Sequence, residues 1–312
     1  MSGSTATKAR SAEILERHQR WLFQCVKPLY TEPVVMESAE GVWVSDVDGR
    51  EYLDLFAGIL STSVGHCHPR VTEAVGQQVR TLGHTSTLYV TEPQVAAAEK
   101  LASMAPGGLD RTFFTNSGTE AIETALQMAQ LYTGQSEIVA LRMSYHGRSA
   151  AASNVTAHAS WRPLATSIAG IKHALAPYPY RSHIQDADDE EMAQFYADDL
   201  EETIRTITNG RPAAFIAEAI LGVAGYVVPP KGYFKACAEV IRAYGGLLIV
   251  DEVQAGFGRT GDHWFEIMHS EVEPDILVTA KGCLLYTSPS PRDFSCNLVC
   301  RLVRGKGGGG GG

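Results

Sequence analysis

The sequence predicts an α/β protein built on a mostly parallel sheet with helices on its faces. From about residue 70, short apolar runs alternate with stretches of helical periodicity, a pattern typical of layered α/β folds. One run, Leu247 to Val250, is continuously apolar, as expected for a buried parallel strand. The chain has 312 residues, 45% of them hydrophobic, which is enough for a sizeable buried core.

The first 60 residues are predicted to form a helix and a hairpin. Residues 1–10 are expected to be disordered, and apolar positions at helical spacing predict a helix over residues 11–24. Apolar and polar residues then alternate around Asp48-Gly49, a dipeptide that favours a hairpin turn. Residues 61–282 are assigned to a large α/β domain.

Strands and helices alternate through the large domain. Strands are predicted within residues 111–116, 137–141, 213–218, 246–252 and 275–280. Helices are predicted over residues 118–132 and 232–244, and the acidic residues 181–203 are expected to lead from a loop into a surface helix.

Composition excludes several classes of protein. The net charge of -9 argues against a protein that acts mainly on nucleic acid or anionic membranes. No apolar run reaches the ~18–20 residues needed to span a bilayer, and the first 25 residues lack an apolar signal-peptide core. The six cysteines form no CxxC pair, so reduced thiols and a cytoplasmic location are expected.

A metal site is one interpretation of the cluster His66, Cys67 and His68. A tight turn before Pro69 is the favoured alternative, because no matching second pair of ligands is visible. We therefore predict no metal site.

The segment TNSGTEAIE is a candidate phosphate site. Ser117 and Glu120 have the spacing of a capping box, and Gly118 and Thr119 would open the helix. Helix N-termini bind anions through unpaired N–H groups and the positive end of the helix dipole. A capped helix with no ligand is the alternative.

Two further residues follow predicted strands. Asp251 ends a strand at the edge where ligands gather in parallel sheets, and a buried carboxylate needs a cation such as a protonated ring nitrogen. Lys281 follows the strand in PDILVTAKG, and a dry pocket would make its amine a nucleophile. Taken alone, Asp251 could cap the next element and Lys281 could be an ordinary exposed lysine.

Together these three features match the needs of one cofactor. A phosphate site, an anion for a pyridinium nitrogen and an amine for a Schiff base are what pyridoxal 5'-phosphate (PLP) requires. They lie on successive β–α units, so one edge of the sheet could present all three.

With these stretches in place, the sequence resembles the class III (subgroup II) aminotransferases, which have the fold-type I PLP architecture. The resemblance runs from about residue 30 to 282 through VGHCHPRV, SYHGRS, IAEAILGVAGYVVPP and DEVQAGFGRTG. GILSTSVGHCHP with HTST is most similar to the alanine–glyoxylate aminotransferase type 2 branch. The resemblance implies a fold-type I large domain preceded by an N-terminal segment of the small domain.

The resemblance also implies roles for single residues. Lys281 would carry PLP and move a proton, and Asp251 would bond the ring nitrogen. The other cofactor contacts implied are Ser117, Gly118, Thr119, Tyr145, His146, Glu218 and Gln254. Arg148 would bind the substrate carboxylate and Ile59 would line the substrate entrance.

Two departures from the family pattern affect these expectations. Val223 stands where the 4-aminobutyrate and ornithine branches have a switching glutamate, and Ala219 replaces a proline. The missing glutamate fits alanine–glyoxylate-like or phospho-lyase-like relatives better. Residues 283–312 lose all periodicity and end in six glycines, so they are expected to be a non-family, low-complexity tail in place of the C-terminal small domain.

The expected activity is transamination from an alanine-like amino acid to glyoxylate or pyruvate. A PLP-dependent phospho-lyase or aminomutase, or an inactive truncated fragment, are the alternatives. Small amino and 2-oxo acids are the expected partners, with no nucleic acid and no membrane, and the full-length family member is expected to be a homodimer.

Overall fold

The computed structural model describes residues 3–23, 28, 30–162, 168–184, 186–283 and 297–300. The chain divides into two compact units, Met1–Gln77 and Gln78–Gly312. The first unit extends past the predicted boundary at residue 60. It does so because Gly41 and His66 pair through two backbone hydrogen bonds of 2.9 and 2.7 Å, which tie the residues after 60 to the hairpin.

The N-terminal unit holds a helix, a three-stranded antiparallel sheet and a short turn. These elements are α1 (Gly3–Trp21), β1 (Met36–Glu40), β2 (Trp43–Asp46), β3 (Glu51–Leu53) and α2 (Ala57–Leu60). Helix α1 begins eight positions before the predicted start, within residues expected to be disordered. Ala6, Lys8 and Ala9 are strong helix formers, and they extend the helix toward the N-terminus.

The predicted hairpin at Asp48-Gly49 is confirmed, and Asp46 holds it together. Its Oδ1 accepts hydrogen bonds of 2.9 Å from the backbone N–H groups of both Asp48 and Arg50. The Tyr52 hydroxyl donates to its Oδ2 at 2.7 Å. These bonds lower the pKa of Asp46, and Gly49 supplies the positive φ of 81° that the turn requires.

The segment α2 is a single left-handed turn. Ala57, Gly58, Ile59 and Leu60 all have φ between 50° and 63°. Left-handed backbone costs a non-glycine residue roughly 1–2 kcal/mol, so contacts elsewhere must hold this turn. Two hydrogen bonds stabilise the start of this turn, since the backbone N–H groups of Phe56 and Ala57 both donate to Asp54 Oδ1 at 2.8 Å.

Helix α3 (Pro69–Thr81) leads into the C-terminal unit. The helices of that unit are α4 (Glu92–Met104), α5 (Gly118–Thr133), α6 (Ala150–Val155), α7 (Asp189–Ile207) and α8 (Tyr233–Ala243). Its strands are β4 (Arg111–Phe114), β5 (Ile138–Leu141), β6 (Ile171–Ala174), β7 (Ala214–Glu218), β8 (Leu247–Asp251), β9 (Ile276–Val278) and β10 (Asn297–Cys300). The five strands and the helices at 118–132 and 232–244 that the sequence predicted are all confirmed.

The seven strands form one sheet in the order β4-β10-β9-β8-β7-β5-β6. Strands β9, β8, β7, β5 and β6 pair in parallel, which confirms the predicted fold class. Strand β10 is antiparallel to both β4 and β9. It falls in residues 283–312, where the sequence predicted no regular element, because four residues are too few to show a period. The rest of that stretch after Cys283 lies outside the described residues.

The strands β5, β7, β8 and β9 are buried on both faces, with side chains alternating between two apolar layers. Phe215, Ala217, Leu248 and Val250 belong to one layer, which also contains α7 and α8. Ala214, Ile216, Leu247 and Ile249 belong to the other, which contains α5 and α6. Such two-sided burial explains why these strands are continuously apolar in sequence.

Helix α7 is the surface helix that the sequence predicted, with one face buried and the other exposed. The sequence expected a loop leading into a helix within residues 181–203, and the helix begins at Asp189 behind a complete capping box formed by Asp188 and Glu191. Ala197 and Leu200 are almost fully buried. Their spacing places one apolar stripe on the sheet, while the acidic face stays outside.

None of the described helices combines the length and the apolar character needed to cross a membrane.

Replacing Phe215 with alanine should destabilise the fold strongly. Phe215 lies in a central strand and is fully buried, so Phe215→Ala should lower the free energy of unfolding by about 3–5 kcal/mol, measured by urea denaturation. Leu131→Ala is the control, because Leu131 is 84% exposed and its loss should cost about 0.5 kcal/mol or less. Equal effects of the two substitutions would contradict the assignment of the core.

Candidate active site

A cavity of about 300 Å³ opens at the carboxyl ends of the parallel strands. Its walls come from the segments that follow β5, β7, β8 and β9 and from the start of α5. The lining residues are Gly118, Thr119, Tyr145, His146, Gly147, Arg148, Glu218, Asp251, Val253, Gln254, Ala280 and Lys281. This edge is where ligands bind in open α/β sheets.

The N-terminus of α5 forms one wall. Ser117 is its N-cap, and its hydroxyl accepts a hydrogen bond from Glu120 N at 3.3 Å. The second half of the predicted capping box differs, since Glu120 Oε2 accepts from Asn116 N instead of Ser117 N. The N–H groups of Gly118 and Thr119 belong to the first turn, which has no intrahelical acceptors. The start of the helix can therefore bind an anion.

Glycine at position 118 lets the helix approach the strand that carries the lysine. A Cβ atom on Gly118 would lie 3.3 Å from the Cβ of Ala280, tighter than most real contacts. The Thr119 hydroxyl binds the segment that carries Arg148, since it accepts hydrogen bonds from Arg148 N at 3.2 Å and from Ser149 N at 3.0 Å. Gly147 makes this contact possible, because its φ is 130° and a Cβ there would meet Thr119 Oγ1 at 2.5 Å.

Asp251 is the buried acid of the cavity, with 5% of its surface exposed. Its Oδ1 accepts from Val253 N at 2.9 Å, and its Oδ2 lies 2.8 Å from His146 Nδ1. When Asp251 is ionised, His146 must carry its proton on Nδ1 to donate this bond. Among the described residues, His146 is the only ion-pair partner of Asp251. The carboxylate therefore suits an additional cationic partner.

Glu218 is a second buried acid. Its Oε1 accepts from Tyr145 N at 2.8 Å and its Oε2 from Gly222 N at 3.0 Å. The pKa of Glu218 is raised to about 7, mainly by burial and also by the nearby Asp251 charge, while His146 and the two backbone bonds oppose the shift. Glu218 thus fixes the loops that carry Tyr145 and Gly222 and can exchange a proton near neutral pH.

Lys281 points its amine toward these acids from a left-handed backbone position. Its φ of 52° is unusual for a residue with a side chain, and such strain is concentrated at functional sites. Burial lowers the pKa of Lys281, while Asp251 and Glu218 oppose the shift and Arg259 adds to it. A lysine with a lowered pKa has more of the neutral amine that attacks an aldehyde.

Tyr145 forms the aromatic side of the cavity. Its ring makes an edge-to-face contact with Trp161, with centroids 5.6 Å apart. The sequence gave no signal for this contact. Arg148 also lines the cavity and is exposed, so its guanidinium is accessible to a carboxylate.

Nine of the predicted site residues therefore line one cavity. Ser117 caps α5 and is not among the lining residues, and Ile59 lies in the N-terminal unit, where it is 53% exposed. The roles of Ser117 and Ile59 stay predictions. Gly147, Val253 and Ala280 line the cavity but were not predicted, because small or apolar residues carry no chemical signature in a sequence.

Metal ligands are not grouped in the part of the chain that the structure describes. His66 Nε2 lies 2.7 Å from Asp54 Oδ2, and Cys67 adopts a φ of 51° in the turn before α3.

The residues of the cavity fit PLP as a set. The start of α5 suits a phosphate, Asp251 suits a protonated ring nitrogen, and Lys281 offers an amine. His146 Nε2 is buried and has no hydrogen-bond partner within the described ranges, so the site has a polar atom that could form a further hydrogen bond. A volume of about 300 Å³ lies at the lower end of the range for small-molecule sites.

Fold and site together define a fold-type I, PLP-dependent transferase. The class-III aminotransferase family matches residues 26–284, and the chain belongs to this family. The resemblance seen in the sequence is thereby confirmed, and the match ends where the predicted tail begins.

Relatives with assigned activities support the same family. The chain is 43% identical over 269 residues to the mitochondrial alanine–glyoxylate aminotransferase 2 homolog 2 of Arabidopsis thaliana, covering 86% of this chain and 55% of that protein. It is 40% identical over 251 residues to the acetylornithine aminotransferase of Methanopyrus kandleri, covering 80% and 59%. The ω-transaminase of Pseudomonas jessenii in complex with PMP superposes with a TM-score of 0.83 at 30% identity, covering 92% and 65%. The chain thus spans little more than half the length of the curated relatives.

Glu252 is a third buried acid beside the site, and sequence reasoning assigned it no role. Only 1% of it is exposed, and its Oε1 accepts from Ile267 N at 2.7 Å. Its Oε2 is buried without a partner in the part of the chain that the structure describes. Burial raises the pKa of Glu252 to about 8, so the carboxyl is favoured as a neutral acid.

The stability of the protein should fall with rising pH because of Glu252. The folded pKa of about 8 exceeds the ordinary value of 4.5, so the folded state binds more protons than the unfolded state between these values. The contribution is complete below 4.5 and is lost as the pH rises toward about 8. Glu252→Gln should reduce this loss by roughly 2–4 kcal/mol, measured as unfolding free energy against pH.

The exposed Glu239 of α8 provides the matched control, since Glu239→Gln removes a carboxylate that water already solvates. It should leave the pH dependence unchanged. A Glu252→Gln variant with the wild-type pH profile would show that this carboxyl does not titrate between folded and unfolded states.

Proposed function

We propose that this chain is the cofactor-binding part of a PLP-dependent aminotransferase. The activity proposed is transfer of an amino group from an alanine-like amino acid to glyoxylate or pyruvate. One observation carries the proposal: Lys281, Asp251 and the start of α5 line the same cavity. Bound PLP would supply an electron sink that lets a bond at the substrate Cα break.

Lys281 would act as nucleophile and as proton carrier. Burial of its amine favours the neutral form, which is needed both for attack on an aldehyde and for accepting the Cα proton at Nζ. Its position among Asp251 and Glu218 keeps the ammonium form accessible, so the same nitrogen can return the proton.

The other residues would hold and orient the cofactor. Asp251 would keep a proton on the ring nitrogen, with His146 fixing the orientation of the carboxylate. Gly118 and Thr119 would bind the phosphate through their N–H groups, and Tyr145 would stack on the ring. Gln254 would bond the 3'-oxygen from the opposite wall. Ser117 would support the phosphate site indirectly, as the cap of α5.

Arg148 and Val223 support the proposed substrate class. Arg148 is exposed at the cavity and offers a bidentate partner for a substrate carboxylate. Val223 is partly buried and carries no charge, so it cannot pair with an arginine as the glutamate of ω-amino-acid specialists does. This supports a short α-amino acid as donor. The same feature fits a phospho-lyase, which would release phosphate from an amino-alcohol phosphate. A homodimer and a cytoplasmic location are further parts of this proposal.

Loss of the amine should abolish the PLP chromophore. Purified protein with PLP should show a visible absorption band, and Lys281→Ala should remove it because no other amine lines the cavity within the described residues. L-Alanine alone should bleach the wild-type band and yield pyruvate. Lys235→Ala is the control, since Lys235 is exposed on α8. Persistence of the band in Lys281→Ala would refute the assignment of the cofactor.

Neutralising Arg148 should weaken substrate binding more than cofactor binding. Loss of a charge-assisted bond to a carboxylate costs about 1.5–3 kcal/mol, so Arg148→Gln should raise KM for L-alanine about 10- to 100-fold. The affinity for PLP should change about twofold or less. Arg142→Gln removes an exposed charge outside the cavity and should alter neither value. A larger loss in PLP affinity than in KM would place Arg148 at the cofactor.

A further inference from the structure

Gly222 lies directly against the side chain of Gln254. A Cβ atom on Gly222 would lie 2.1 Å from Gln254 Oε1, 2.6 Å from Cδ and 3.1 Å from Nε2. Real Cβ atoms essentially never approach closer than 3.0 Å, so two atoms of the carboxamide, Oε1 and Cδ, occupy the space that a side chain at 222 would need. The Gln254 carboxamide therefore packs directly against the backbone of Gly222.

The backbone at Gly222 cannot move to relieve such a clash. Its N–H donates to Glu218 Oε2 at 3.0 Å, and its carbonyl accepts from Gly225 N and Tyr226 N, both at 3.1 Å. Leu221 and Val227 close the loop through reciprocal hydrogen bonds of 3.0 and 3.1 Å. Gln254 is the flexible partner, so any side chain at 222 must displace its carboxamide.

We infer that Gly222 is a positioning residue that keeps the Gln254 carboxamide against the cavity. Gly222 does not line the cavity itself, and its φ is not in the left-handed region, so no conformational need explains a glycine here. The inference rests on the proposed function in one respect: Gln254 is taken to bond the 3'-oxygen of PLP. Gly222 would then set cofactor affinity without touching the cofactor.

A double-mutant cycle tests the inference. Gly222→Ala should weaken PLP binding about tenfold, the loss expected for one hydrogen bond. Gln254→Ala should have a similar effect, and the double variant should bind no worse than Gln254→Ala alone, because the clash is gone. The affinity is read from the visible band of the full chain titrated with PLP. Gly83→Ala is the control, since a Cβ there meets only Val79 O, at 3.5 Å.

A spectroscopic readout separates positioning from a general structural effect. A bond to the 3'-oxygen stabilises its anionic form, so Gly222→Ala and Gln254→Ala should shift the pH midpoint of the visible band in the same direction. The thermal unfolding midpoint of the cofactor-free protein should stay unchanged in Gly222→Ala. Additive losses in the cycle would overturn the inference, as would a Gly222→Ala protein that misfolds in both the wild-type and the Gln254→Ala background.

Crystal structures of the cofactor-free wild type and Gly222→Ala keep this test independent of the proposed function. The carboxamide of Gln254 should move away from residue 222 while Asp251 and Lys281 stay in place. A Gln254 side chain that keeps its wild-type position in the Gly222→Ala variant would overturn the inference even if PLP binds. If wild-type protein binds no PLP, the proposed function fails, and the displacement of Gln254 still decides whether Gly222 positions it.

Discussion

The site depends on the parallel register of β7, β8 and β9. Glu218 pairs with Asp251 across the first two strands, and Asp251 pairs with Val278 across the next, three residues before Lys281. Parallel strands end at one edge, so a register fixed by buried apolar side chains also fixes the separation of two carboxylates and an amine. A slip of one residue would turn Asp251 into the apolar layer, where an unpaired charge is very costly. The same strand register therefore determines both the packing of the core and the geometry of the site.

The edge of the sheet carries more buried carboxyl groups than can be ionised at the same time. Asp251, Glu218 and Glu252 are all nearly buried, while the cationic side chains that line the cavity are the partly buried Lys281 and the exposed Arg148. Like charges in a dry region cannot all persist, and protonation relieves the repulsion. The pKa is raised to about 8 for Glu252 and to about 7 for Glu218, mainly by burial, which favours the neutral forms of these two acids. Asp251 is the acid with the His146 partner, and it lies where a pyridinium would need an anion.

Strands with a regular apolar pattern and ionisable site residues could be predicted from the sequence. Features that depend on contacts between distant segments could not. Strands β5, β7, β8 and β9 were readable because burial on both faces makes them largely apolar. Strand β6 was missed, since Ile171–Ala174 mixes polar and apolar residues and is only partly buried at the edge of the sheet. The ionisable site residues could be predicted from type and position. The neutral character of Glu252, the Trp161 contact with Tyr145 and the contact of Gly222 with Gln254 could not, because each depends on distances between segments far apart in sequence.

The loop from Leu221 to Val227 bears on two properties, substrate preference and cofactor affinity, that need not vary together. Val223, on which the proposed substrate preference partly rests, is the next residue after Gly222, whose backbone supports Gln254. Because hydrogen bonds to Glu218 and across Leu221 and Val227 fix that backbone, a side chain at 223 can change without moving the backbone at 222. A side chain at 223 could thus alter the proposed substrate preference while the backbone at 222 keeps Gln254 in place. Selectivity can therefore differ among proteins that share one cofactor site, since the hydrogen bonds of this loop separate the two functions physically.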